Sequence, residues 1–111
     1  MLSQLLEGLR NSLSEHENML FNNGVFSEER VKDQLDRHEV MQRLSGGREL
    51  SDQKHKKHGQ FDAIEKQIKG WTEHPDVKDF AHDTQVKEIL ERYDKCLRQI
   101  KKLRGIVDNF Q

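Results

Sequence analysis

Apolar residues recur along this chain every three or four positions with charge between them, and that period predicts amphipathic α-helices. Leu2, Leu6, Leu9, Leu13, His16 and Leu20 form the first stripe, so a first helix is expected over about residues 2–22. Gly8 weakens it slightly, and Asn22-Asn23-Gly24 supplies residues that tolerate a left-handed cap. A second helix is expected from Ser27, whose hydroxyl can cap the free amides while Glu28 and Glu29 complement the positive helix end. Val31, Leu35, His38, Met41 and Leu44 make its stripe, and Ser45-Gly46-Gly47 ends it. A third helix is expected from Ser51 or Asp52. Its first turns carry almost nothing apolar, so burial should begin at Phe61, Ile64 and Ile68, with Trp71 half-exposed at the end. Gly70 and Thr72-Glu73-His74-Pro75 close it, ahead of a short irregular piece holding Val77 and Phe80. The last helix is the clearest, about residues 83–108, capped by Asp83 or Thr84. Val86, Leu90, Tyr93, Leu97, Ile100 and Val107 form its stripe, widened by Ile89, Cys96 and Leu103. No strand pattern of note interrupts these segments. About four helices joined by short turns predict an all-α antiparallel bundle, one domain over residues 1–111.

Composition narrows the picture. Charged residues make up 35% and hydrophobic ones 32%, so the core must be thin. The formal net charge of −1 gives no overall pull toward nucleic acid, and any such role needs local segregation of charge. A single cysteine, Cys96, rules out an internal disulfide and fits a reducing compartment. Its position on an apolar stripe reads as a small buried hydrophobe. Met1-Leu2-Ser3 lacks the start of a secretory signal, and no stretch approaches the roughly 20 apolar residues of a membrane helix. The expectation is a cytoplasmic protein without membrane contact.

Candidate chemistry is sparse. His55 and His58 stand three apart, but a zinc site needs three or four ligands, and Lys56 and Lys57 repel a cation. No metal and no cofactor is expected. No nucleophile–base arrangement, phosphate loop or isolated carboxylate pair is readable, so no enzymatic activity is expected either. Two basic clusters remain. One is Lys54, Lys56 and Lys57 with His55 and His58; the other is Arg92, Lys95, Arg98, Lys101, Lys102 and Arg104. On one common face they would form a patch for phosphates or an acidic peptide.

The stretch HGQFDAIEKQI, residues 58–68, together with EILERYDKCLRQIKKL, residues 88–103, resembles the primosomal replication protein PriC family. The first matches a His-x-x-aromatic-Glu signature. The second matches an arginine, then a basic residue and cysteine, then apolar residues on one helical face. Residues 25–44 and 2–22 follow the family in pattern only. Asp62 stands where the family has Glu, and Ala63 and Ile64 where it has an arginine pair, so Lys57 or Lys66 would have to replace a second arginine. The resemblance implies a non-enzymatic replication-restart factor. It implies binding of the acidic C-terminal tail of single-stranded-DNA-binding protein, of single-stranded DNA, and action on the replicative helicase. It places Arg92 in the tail pocket. Lys95, Tyr93, Lys57 and Phe61 would complete that pocket if the third and last helices are neighbours. Lys54, Lys56, Arg98, Lys101, Lys102 and Arg104 would then face nucleic acid. The same helical pattern fits two other readings: an adaptor or chaperone-type module that binds a partner helix through an exposed apolar groove, and a homodimer paired through the first stripe.

Overall fold

Side-chain caps fix the starts of the last two helices, and the computed structural model describes residues 2–110. They form α1 (Leu2–Leu20), α2 (Glu28–Ser45), α3 (Glu49–Thr72), α4 (Pro75–Asp79) and α5 (Thr84–Asn109). No strand occurs among the described residues. The Asp83 carboxylate accepts from the amides of Gln85 at 2.9 Å and Val86 at 3.1 Å, which fixes the start of α5. His74 Nδ1 accepts from the Asp76 amide at 3.1 Å and opens α4, with Pro75 at its first position. The piece expected to be irregular is thus one helical turn. Ser27 precedes α2 as expected, but its hydroxyl caps nothing; it is buried without a partner. The third helix starts at Glu49, earlier than expected, because Leu50 is buried and its amide donates to Gln42 Oε1 at 3.2 Å.

Side-chain pairs give the helix directions. Along α1 and α5, Arg10 reaches Gln85, Glu17 reaches Arg92 and the Leu20 carbonyl meets Gln99, so these helices run parallel. Along α3 and α5, Lys54 meets the Phe110 carbonyl, His58 meets Asp108 and Asp62 meets Arg104, so they run antiparallel. Glu28 pairs with Lys102, and α2 forms an antiparallel hairpin with α3 through Gln34–Lys57 and Gln42–Leu50. Hence α1 and α2 lie end to end in the same direction, each against one half of α5. The all-α bundle is present, drawn out to 56 × 23 × 19 Å. The link between α1 and α2 turns on Asn22 at φ 56° and on the Phe26 amide donating to the Met19 carbonyl at 2.8 Å. Gly24 packs so closely there that a Cβ would sit 2.1 Å from the Asn18 carbonyl oxygen.

One core runs the length of the molecule. It joins Leu9, Leu13 and Leu20 of α1, Val31 and Leu35 of α2, Phe61 and Ile68 of α3, and the α5 stripe from Val86 to Val107. His16 belongs to it, with its ring bonded to the Ser12 carbonyl at 2.7 Å and to Gln67 at 3.1 Å. Trp71 is half-buried and lies over Gly8, where a Cβ would come within 2.8 Å of its ring. The expected second stripe is only half internal. Met41 is 50% and Leu44 84% exposed, and Val40 is 53% exposed beside them. They sit on the end of α2 that continues past the close of α5, where α3 alone is packed beside it. No described helix is long and apolar enough to cross a membrane.

Candidate functional site

The residues expected to build one tail pocket are divided between the core and two separate surfaces. Tyr93 is fully buried, and its hydroxyl donates to the Leu9 carbonyl at 2.8 Å, so its ring is core and not the wall of a niche. Burial raises its pKa above the ordinary phenol value. Phe61 is also fully buried, edge-on to Phe26 with ring centroids 5.7 Å apart. Lys57 is 5% exposed; its amine donates to Gln34 Oε1 and lies 5.4 Å from the Phe26 ring centre. Burial, with a smaller push from Lys56, lowers its pKa from the usual lysine range. Phe61 meets α5 at Arg104, whose guanidinium carbon is 5.9 Å from the ring centre. Arg104 lies eleven residues beyond Tyr93, about 16 Å along the helix at 1.5 Å per residue. Lys57 and Phe61 therefore cannot share a pocket with Arg92. The reason is the register: α3 pairs with the second half of α5, and α1 with the first.

Arg92 and Lys95 stay at the surface, on the seam with α1. Arg92 is held by Glu17 through a two-pronged contact, Nε to Oε2 at 3.0 Å and a terminal nitrogen to Oε1 at 2.5 Å. The Glu17 hydrogen bond raises the Arg92 pKa further, against a smaller effect of burial. Lys95 is exposed one turn on, with its amine 5.4 Å from the centre of the Phe21 ring. Phe21, Leu20, Gln99 and Ser27, together with Glu28 and Glu29, line a notch of about 300 Å³ where α1 turns into α2. Beneath Arg92, Cys96 is fully buried; burial first, then the Glu17 charge, pushes its thiol up to about 11, against the pull of Arg92 and Lys95. Sequence spacing placed Arg92 and Lys95 on an outer face, but nothing in it pointed to Phe21 or Glu17 as their neighbours.

The basic residues assigned to nucleic acid are scattered and mostly paired. Lys54 donates to the Phe110 carbonyl, and Arg98 pairs with Asp94 on its own helix. Lys102 pairs with Glu28 at 2.9 Å, on the α2 side. Arg104 bridges Asp62 at 2.5 Å and Glu65 at 3.3 Å, on the α3 side. His58 joins that network through Nε2 to Asp108 at 2.7 Å, while its Nδ1 faces Arg104 at 3.3 Å. With an arginine donor on Nδ1, the ring proton belongs on Nε2. Lys56 and Lys101 are exposed on different helices. Where the two basic clusters meet, at His58 and Arg104, the acids Asp62, Glu65 and Asp108 are interleaved with them. No group of three or more His, Cys, Asp or Glu among the described residues could hold a metal ion.

Comparison of the chain with family models, curated proteins and solved structures finds no match.

Proposed function

We propose that this chain is a non-enzymatic accessory protein of DNA-replication restart that binds the acidic C-terminal tail of single-stranded-DNA-binding protein along the α1–α5 seam. The observation that carries this reading is the arrangement of Arg92, Lys95 and Phe21. Lys95 faces the partly buried Phe21 ring, which also lines the Leu20–Gln99 notch, and Arg92 is exposed one turn back on the same helix. A tail ending in Asp-Phe offers carboxylates to the cations and an apolar ring to the notch. Tyr93, Lys57 and Phe61 have no direct part in this version of the site; Tyr93 holds α1 against α5 beneath it. Single-stranded DNA would be a weaker ligand, held by Lys101 and by whichever neighbouring ion pairs, such as Arg98–Asp94, it can open. Action on the replicative helicase belongs to the same reading.

Fluorescence anisotropy of a labelled acidic peptide ending in Asp-Phe tests it. Saturable binding at low salt, weakened by added salt, is expected. Arg92→Ala removes a charge-assisted contact worth about 1.5–3 kcal/mol, or roughly ten- to 150-fold in affinity. Binding unchanged in that variant would refute the assignment.

The exposed Val40, Met41 and Leu44 favour a second reading, a helical protein–protein interaction module that engages a partner through the end of α2 without nucleic acid. A peptide-binding failure at the seam combined with capture of a partner that Leu44→Ser abolishes would select it.

A further inference from the structure

Arg92 does not wait empty-handed at the seam. Glu17 presents both carboxylate oxygens to it in the two-pronged geometry that a ligand carboxylate would use. We infer that Glu17 is an intramolecular competitor, occupying the Arg92 guanidinium in the free protein and displaced from it by the carboxylate of an acidic tail. The inference rests on the tail-binding reading above and adds to it the residue that sets affinity.

Three features of the structure support a displaceable contact over a fixed strut. First, the pair is open to water: the Arg92 side chain is 53% exposed and that of Glu17 26%. Exposed pairs of this kind bias an equilibrium only about two- to fivefold. Second, the α1–α5 contact does not depend on it. Leu9, Leu13 and Leu20 are buried against α5, Tyr93 is bonded to the Leu9 carbonyl, and Gln99 donates to the Leu20 carbonyl at 3.2 Å. Third, the next cation on the seam is not consumed in the same way. Lys95 faces the Phe21 ring and forms no ion pair among the described residues, so an incoming acid meets one open charge before it reaches the occupied one. A tail with several acids can settle on Lys95 first and then exchange with Glu17 at Arg92. A ligand with a single charge gains less, because it replaces one carboxylate by another. Glu17 thus selects for clustered acids.

The experiment titrates the same labelled Asp-Phe peptide with wild type, Glu17→Gln and Glu17→Ala at low salt, with thermal melts in parallel. Both variants are expected to bind about two- to fivefold more tightly while melting close to wild type. A control peptide with its acids replaced by amides should show no such gain. Wild-type binding with equal or weaker binding by both variants overturns the inference and leaves the tail reading standing, with Glu17 as an orienting partner of Arg92. No binding by any of the three proteins overturns the tail reading and the inference together. An equal gain with the amide peptide also overturns it, since the effect would then lie outside carboxylate exchange.

Discussion

Cys96 makes the stability of this bundle fall in alkali, and the size of the fall can be worked out. In the folded protein the thiol ionises near 11, against an ordinary value of 9.0. The unfolded chain loses that proton first, so between those two values unfolding releases a proton and stability drops as pH rises. The limiting loss is 2 pH units at 1.36 kcal/mol each, about 2.7 kcal/mol. About 2 kcal/mol of it should be spent by about pH 10.5. Lys57 works in the opposite sense. Its folded pKa is depressed, the unfolded chain holds its proton longer, and stability rises with pH up to the ordinary lysine value. Tyr93, whose pKa burial also raises, adds to the fall from about pH 10, so a single pH curve mixes three groups. The assay is urea unfolding under reductant at a series of pH values from about 8 to about 10.5, for wild type and Cys96→Ala. The variant loses some packing at every pH, so the comparison is of slopes. The wild-type curve should descend more steeply by about 2 kcal/mol over the window. Parallel curves, or a native thiol that reacts with a thiol reagent as fast as a free one, would refute the burial argument.

Two further predictions concern the joints of the fold. Gly24→Ala should cost about 1–3 kcal/mol, because the new methyl would be driven into the Asn18 and Met19 carbonyls, and the melting temperature should fall accordingly in calorimetry. Tyr93→Phe keeps the ring but deletes the bond to the Leu9 carbonyl, so a loss of about 1 kcal/mol in urea unfolding is expected, with tail affinity changed only as far as α1 loosens from α5.

Helix existence was readable because the apolar stripes are strict. Leu6 to Leu20 are buried where their spacing places them, as are Val86, Tyr93, Ile100 and Val107, while Leu90 and Leu97 are only partly buried; Asp83 caps α5 as its chemistry requires. What the spacing could not carry was direction and register. Nothing in residues 21–27 announces that α2 will continue the line of α1, because a turn built on Asn22 and Gly24 can also reverse the chain. That one choice decides which half of α5 meets α1 and which meets α2 with its hairpin partner α3. It therefore decides that Arg92 faces Glu17 while Phe61 faces Arg104. The stripe of α2 shows a related limit. Periodicity identifies an apolar face but not what covers it, and Met41 and Leu44 lie beyond the end of α5. By its charge, Lys57 reads as a surface residue. Its stem is instead buried at the α2–α3 contact, and its amine meets Gln34 and the face of Phe26.

Under the tail-binding proposal, the charge pattern of α5 favours an acidic tail over a nucleic acid strand. From Lys95 to Val107 the helix carries five cations and no acid, which in isolation reads as a phosphate-binding ridge. In the fold, Lys102 turns to Glu28 of α2, Arg104 to Asp62 and Glu65 of α3, and Arg98 back to Asp94. Each of these pairs must open before its cation can neutralise a phosphate. A strand that relies on many weak contacts meets that opposition at each step, and the counterion release that drives such binding shrinks with every cation already paired. A short acidic tail needs only two or three cations and gains the rest of its affinity from an apolar anchor. The α1–α5 seam offers that combination: Lys95 open, Arg92 held by one exchangeable carboxylate, and Phe21 beside the notch. A net charge near zero is thus compatible with recognition of an acidic partner, provided that the cations that count are the ones the bundle has left on its seam.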